Sequence, residues 1–226
     1  MKTQKQKNPA PSKIKFAPFA WQNLLPVPII GVDEVGRGCL AGPVYAAAVI
    51  INSHNEHSCY SDSKTLTEKR REVLSKHIQQ HHLWSIGFAT IEEISRLNIL
   101  HAALLAMKRA VEGLGVNKGH VIVDGNKKIS DLPATFNQTT LIKGDLRATP
   151  VAAASIVAKV ARDQWMAEQA QEFPVYQFEK HKGYSTALHK ELIAEHGPCR
   201  LHRPTFRGVK EFLPQSINSS EQGSLF

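Results

Sequence analysis

The sequence predicts an α/β protein: a mixed sheet with an antiparallel start, flanked by helices and followed by a small helical segment. Three observations carry that reading. Short apolar runs of strand length recur at 27–32, 44–51, 83–91, 120–124 and 139–142. The first three are separated by only one helical pattern, an order that suits antiparallel neighbours. The stretch 91–112 then reads as one or two helices, with Ile99, Leu100, Ala103, Leu104, Met107 and Val111 at helical spacing, and 151–171 as a further helix.

Residues 1–22 read as a flexible basic arm, with five lysines and no acid in the first twenty. The first strand, 27–32, runs into the adjacent carboxylates Asp33 and Glu34 and then the glycine turn Gly36-Arg37-Gly38. The run 44–51 is a second buried strand. Residues 52–63 form a polar loop reaching Lys64, and Thr67 caps a helix that continues to about 82. His77 and His81 lie four apart on that helix, and with no acidic third ligand nearby they read as a solvated face. The third strand is 83–91, and Gly113 and Gly115 end the helix that follows. The run 120–124 then delivers Asp124 to a strand end, and 139–142 leads through Lys143 and Gly144 to Asp145. Thr149 is expected as N-cap and Pro150 as first-turn residue of the next helix, whose alanine-rich start would lie close against the sheet. Residues 173–183 read as irregular, 185–196 as a short helix and 207–212 as a last one. The expected organisation is a main α/β unit over 23–172, a C-terminal helical segment over 173–214 and a flexible tail over 215–226.

Composition bounds the function. At 226 residues and 25.1 kDa the chain is one sizeable domain, and a 42% hydrophobic content supplies a real core. Lys and Arg outnumber Asp and Glu by 28 to 20, for a net charge of +8, which favours a polyanionic partner such as nucleic acid. The three cysteines, Cys39, Cys59 and Cys199, are scattered and odd in number. They argue against a disulfide framework or a zinc site and fit a reducing, cytoplasmic setting. No apolar run reaches membrane-spanning length, and the amino terminus lacks the apolar centre of a signal peptide.

Chemistry concentrates in Asp33, Glu34, Asp124 and Asp145, acids that recur at strand ends. Converging carboxylates repel, by roughly 4 kcal/mol per pair at about 4 Å and an effective dielectric of 20, and divalent cations remove that penalty. All-oxygen ligands suit Mg²⁺ or Mn²⁺, and a pair of such ions serves phosphodiester displacement. Each acid taken alone could simply cap a turn; three strand ends together favour metal. Adjacent strand residues point to opposite faces, so Asp33 and Glu34 share a site only if the chain bends at Glu34. A rival reading is the dinucleotide fingerprint G-x-G-x-x-A over Gly36–Ala41. It is weakened because Gly42-Pro43 and a strand follow where a helix should open. A non-catalytic nucleic-acid-binding module is the other alternative.

The runs GVDEVGRGCLAGPV, SDSKTL, VDGN, KGD, AAASIVAKVARD, HKGYSTALH and GPCRLHRPTF, in that order over about 29–212, resemble bacterial ribonuclease HII, a type 2 ribonuclease H. The resemblance implies a ribonuclease H-like mixed sheet and metal-dependent endonucleolytic cleavage of RNA paired with DNA. It also implies incision on the 5′ side of single ribonucleotides in duplex DNA, leaving a 3′-hydroxyl. It places the metal-binding acids on Asp33, Glu34, Asp124 and Asp145. It places main-chain reading of the ribose 2′-hydroxyl on Gly36, Arg37 and Gly38, and the stacking tyrosine on Tyr184. Lys64, Lys143, His181 and Arg203 become the cations that would hold phosphates, and Asp163 a supporting acid. The final residues Gln222-Gly-Ser-Leu-Phe226 resemble the peptide by which bacterial proteins bind the replication sliding clamp, with Gln222, Leu225 and Phe226 as docking residues. Gly223 stands where that peptide has leucine.

Overall fold

The structure, a computed structural model, describes residues 16–52, 60 and 66–214. Five strands form one sheet: β1 (Ile29–Val35), β2 (Val44–Ile50), β3 (Leu83–Ala89), β4 (Gly119–Asp124) and β5 (Phe136–Leu141). Their order is β3-β2-β1-β4-β5. β1, β2 and β3 are antiparallel neighbours, with Gly31 opposite Val49 and Ala47 opposite Ile86. On its other side β1 runs parallel to β4 (Val32 beside Val123), and β4 runs parallel to β5 (Asp124 beside Leu141). The expected antiparallel start is therefore present, and the parallel half brings three carboxyl ends to one edge.

Side-chain alternation divides the core between the two faces. Val44, Ala46, Ala48 and Ile50 of β2, with Ile30 and Val32 of β1, pack against α2 (Ile91–Glu112). Ala47 and Val49 face the opposite way, against α1 (Glu68–His81) and α3 (Thr149–Glu172). The second cluster is largely alanine on the α3 side, and small side chains let that helix approach the sheet. The approach is closest at Gly31, where a Cβ would lie 2.0 Å from the main-chain carbon of Pro150.

Several boundaries differ from expectation, each for a local reason. β3 stops at Ala89 because Thr90 begins a capping box: its side chain accepts from the Glu93 N–H while Glu93 accepts from the Thr90 N–H. The 91–112 stretch, expected as one or two helices, is two, parted at Asn98 (φ 64°, ψ 165°), whose Oδ1 accepts from the N–H groups of Leu100 and His101 and so caps the second. Thr149 is the first residue of α3 and not its cap. Ala148 holds the cap position through its carbonyl, which accepts from Val151 and Ala152. β5 begins at Phe136, earlier than predicted. Residues expected to be irregular contain a 3₁₀ turn, Pro174–Tyr176, and a one-turn helix, α4 (Phe178–His181). α5 (Ala187–His196) starts after its Thr186 cap, and the last expected helix is a 3₁₀ turn, Lys210–Phe212. Tyr176, Phe178, Leu192 and Leu201 of this terminal segment pack on Ala41 and Met166, against the β1–β2 connection and α3. Among the described residues no helix is long and apolar enough to cross a membrane.

Gly31→Ala tests the close approach. The added methyl meets helix backbone, which cannot move aside as a side chain would, so the cost is about 3 kcal/mol. At this chain length that lowers Tm by about 6–12 °C, read by thermal denaturation; an unchanged Tm would show that α3 is free to shift.

Candidate active site

The parallel strands β1, β4 and β5 end side by side, and each end supplies an acid or the turn that carries one. Asp33 and Glu34 are the fifth and sixth residues of β1, and Asp124 is the last of β4. Asp145 lies in the 3₁₀ turn Gly144–Leu146 after β5. Lys143, exposed and in the left-handed region (φ 58°), reverses the chain there. The Gly144 N–H then donates to Asp124 Oδ1 at 2.7 Å, tying that turn to the Asp124 carboxylate.

The expected bend at Glu34 does not occur. The β1–β2 ladder continues through Glu34 opposite Ala46 and Val35 opposite Tyr45. Asp33 therefore faces α3, where it hydrogen-bonds Ser155. Glu34 faces α2 and lines, with Arg37, Asp124 and Asn126, a cavity of about 200 Å³. Asp124, at the strand end, lies in the field of both acids. Asp33 and Asp145 are buried, only 6% and 4% exposed. Burial pushes the Asp33 carboxyl well above the usual carboxylate range, and Glu34, Asp124 and Asp145 add to the effect. Burial also raises Glu34, opposed by Arg37, whose Nη1 lies 3.1 Å from Glu34 Oε1. Among the described residues no three of His, Cys, Asp and Glu are gathered closely enough to hold an ion. The acids share one edge and one field without closing on a point. Hard oxygen donors that destabilise one another's charge are nonetheless a donor set suited to a hard divalent cation.

Beside the acids, the turn after β1 is braced from within. Gly36 has φ +93°, and a Cβ on it would lie 2.2 Å from Arg162 Nε. The Arg162 side chain donates to the carbonyls of Pro43 (3.2 Å), Lys182 (2.8 Å) and Ala41 (3.0 Å). Arg203 donates to those of Gly42 (2.9 Å), Arg37 (2.9 Å) and Gly36 (2.6 Å). Both arginines are fully buried. Burial lowers Arg203 to about 10, so it stays charged at neutral pH. With its carbonyls turned inward, the loop has open space at Gly38, where a Cβ would meet nothing within 4 Å.

The family model described as Ribonuclease HII matches residues 30–209. The chain belongs to the ribonuclease HII family. A ribonuclease HII of Marinomonas sp. is 50% identical over 186 residues, 82% of this chain and 92% of that protein. Another, of Endomicrobium trichonymphae, is 45% identical over 190 residues, 84% and 90% of the two chains. A solved structure of the PCNA:RNase HII complex from Archaeoglobus fulgidus superposes with a TM-score of 0.67 at 23% identity, over 79% of this chain and 95% of that one. The α/β fold expected from the sequence is thus the ribonuclease HII fold. Family membership makes the protein an endonuclease, a divalent-metal-dependent hydrolase acting on RNA in RNA–DNA hybrids.

Around the four acids, the structure sorts the remaining candidates of this ribonuclease HII. Tyr184 is half-buried and bridges Cys39 of the glycine loop. Its ring lies 4.9 Å from Lys159 Nζ and 5.7 Å from Arg162 Cζ. Asp163 pairs with Lys159 at 2.7 Å, in keeping with a supporting role. Two expectations are corrected. Arg203 is committed to loop carbonyls, and His181 is buried, its Nε2–H donating to the Tyr176 carbonyl at 2.7 Å, so neither is available to a phosphate. Lys64, Gln222, Leu225 and Phe226 lie outside the described residues. Sequence reasoning missed Arg162 and Lys159. The signal was a cation pair within the otherwise alanine-rich apolar stretch 151–162 of a helix, where a charge must find a partner.

His189 and His202 are buried nearby, and burial lowers them to about 3 and about 4. Both are neutral in the fold, whereas in the unfolded chain they charge below about pH 6.5. The unfolded state binds more protons in that window, so their contribution is complete above pH 6.5 and is lost as pH falls toward 4. In urea unfolding at pH 7 and pH 5, wild type should lose more stability on acidification than His202→Asn; equal losses would remove His202 as a source.

Proposed function

We propose that this ribonuclease HII incises duplex DNA on the 5′ side of a single embedded ribonucleotide, as well as cutting RNA in hybrids, and leaves a 3′-hydroxyl. The observation that supports it is the adjacency of four acids at three strand ends to a loop whose carbonyls are tied back and whose Gly38 is open. Asp33 and Glu34 face opposite sides of β1, and Asp124 at the strand end lies in the field of both; with Asp145 these are the residues that would hold two divalent ions, Mg²⁺ or Mn²⁺, with no single point shared by all four. Those ions supply Lewis acidity at the phosphate and a lowered pKa for the attacking water. Arg37, now paired with Glu34, neutralises that acid until the substrate arrives. Gly36, Arg37 and Gly38 present main chain to the ribose, where glycine permits close approach and the 2′-hydroxyl distinguishes RNA from DNA. Tyr184 stacks at the junction, a contact worth about 1–3 kcal/mol, and Lys64 and Lys143 hold flanking phosphates.

The deciding experiment uses a DNA duplex carrying one ribonucleotide, with Mg²⁺, Mn²⁺ or chelator. A metal-dependent cut just 5′ of the ribonucleotide is expected. Asp33→Asn should lower it by at least ~100-fold, the upper end of what losing an outer-shell metal partner alone costs. Cutting confined to long hybrids would narrow the specificity, and duplex binding with no cleavage at any metal concentration would favour a binding module. In chelator, Asp33→Asn should melt at or above the wild-type temperature, because a destabilising charge is removed. A clear fall in that melting temperature would make Asp33 structural.

A second reading concerns the C-terminal peptide Gln222–Phe226. We infer that Gln222, Leu225 and Phe226 dock on the replication sliding clamp. The motif supports this, and the Archaeoglobus fulgidus protein of the same fold was solved as a PCNA complex. Deleting 222–226 should weaken binding to the cognate clamp at least tenfold and leave cleavage intact; unchanged clamp binding would refute the idea.

A further inference from the structure

Behind Tyr184, main-chain groups fix the tautomers of a buried histidine pair. The Cys199 N–H donates to His202 Nδ1 at 2.9 Å, so that nitrogen keeps its lone pair and the proton sits on Nε2. His189 Nδ1 lies 2.9 Å from the Tyr184 carbonyl, which can only accept; here the proton is on Nδ1 and the lone pair on Nε2. The two Nε2 atoms are 3.1 Å apart, a donor facing an acceptor. One directed chain results, from the Cys199 N–H through His202 and His189 to the Tyr184 carbonyl, and it closes only with both rings neutral.

The segment held by this chain is the one that meets the glycine loop. The Leu40 N–H donates to the Gly183 carbonyl at 2.8 Å, and Arg162 Nη1 donates to the Lys182 carbonyl. His181 stacks on His189 at 4.0 Å and accepts from the Gly183 N–H through Nδ1. Apolar residues of similar volume would fill this space as well. They would not supply a donor aimed at one carbonyl.

We propose that His189 and His202 are positioning residues for the substrate: their hydrogen-bond chain fixes the main chain at Tyr184 and thereby the angle at which its ring meets the nucleotide. This rests on the stacking role given to Tyr184 above. The test is a double-mutant cycle on the one-ribonucleotide duplex. His189→Leu fills the space without a donor and should raise KM about tenfold, the worth of one buried hydrogen bond, with a smaller change in kcat. His189→Asn keeps an N–H toward the carbonyl and should recover most of the loss. In a Tyr184→Ala background, His189→Leu should add less than about twofold, because coupled residues are non-additive. Circular dichroism melting establishes that each variant is folded. If His189→Leu does not fold, His202→Asn runs the same comparison, since it keeps an acceptor for the Cys199 N–H and removes the donor to His189. Unchanged kinetics in a folded His189→Leu, or additive losses in the double variant, would overturn the inference while leaving Tyr184 in place. A Tyr184→Ala enzyme with wild-type kinetics would instead overturn the stacking role and the inference with it.

Discussion

Two guanidinium groups buried away from solvent, those of Arg162 and Arg203, hold six main-chain carbonyls, and the shape of the candidate site depends on that grip. A buried charge is costly unless its hydrogen-bonding groups are satisfied. Here five of the acceptors belong to the 36–43 connection between β1 and β2, and the sixth to Lys182. Each bond from a charged donor contributes roughly 1.5–3 kcal/mol, which offsets the desolvation of the arginines and of the loop carbonyls together. The two positive charges also lower one another's comfort: Arg162 is among the causes that depress Arg203. That close placement of like charges behind a glycine turn gives the turn a fixed positive backing, suited to a ligand made of phosphates and hydroxyls.

The acids in front of the loop are held in the opposite electrostatic sense. Asp33 and Glu34 are raised by burial, and Asp33 further by the other three carboxylates. Nothing in the hydrophobic core requires acids there. The sheet bears their repulsion because the surrounding strands and α3 are packed independently of them, through Ile30, Val32, Val121 and the alanines of 152–158. A rigid frame that imposes repulsion on four oxygen-donor side chains is a frame in which a divalent cation gains affinity.

Much of this was legible along the chain. An acid after an apolar run is a local signal, and Asp33, Glu34, Asp124 and Asp145 each carry it. The adjacency of β1 to β4 is not local, and neither residue pattern nor spacing revealed it. The ordered motifs of the resemblance pointed to the family, and the fold agrees. What failed were readings that depend on a main-chain partner the residue pattern does not show, distant in sequence for Arg203 and five residues back for His181. Arg203 and His181 look like surface cations in a polar run, yet both face inward because main-chain carbonyls from 36–42 and 176 await them. Arg162 was overlooked for the same reason. The break at Asn98 and the early stop at Ala89 were decided by single side-chain caps, which compete with helix and strand propensity on nearly equal terms.

The grip of Arg203 on Gly36 and Gly42 spans sequence separations of 167 and 161 residues. All five strands have been made once residue 141 leaves the ribosome, and the chain emerges from its amino terminus. The five strands, and by residue 145 the four acids, are thus made before Arg203, which supplies three of the six bonds that brace the loop beside them. A molecule lacking residue 203 would carry the acids without three of the six bonds that brace the loop. The final shape of the loop thus depends on a residue made 161 to 167 positions after the carbonyls it holds.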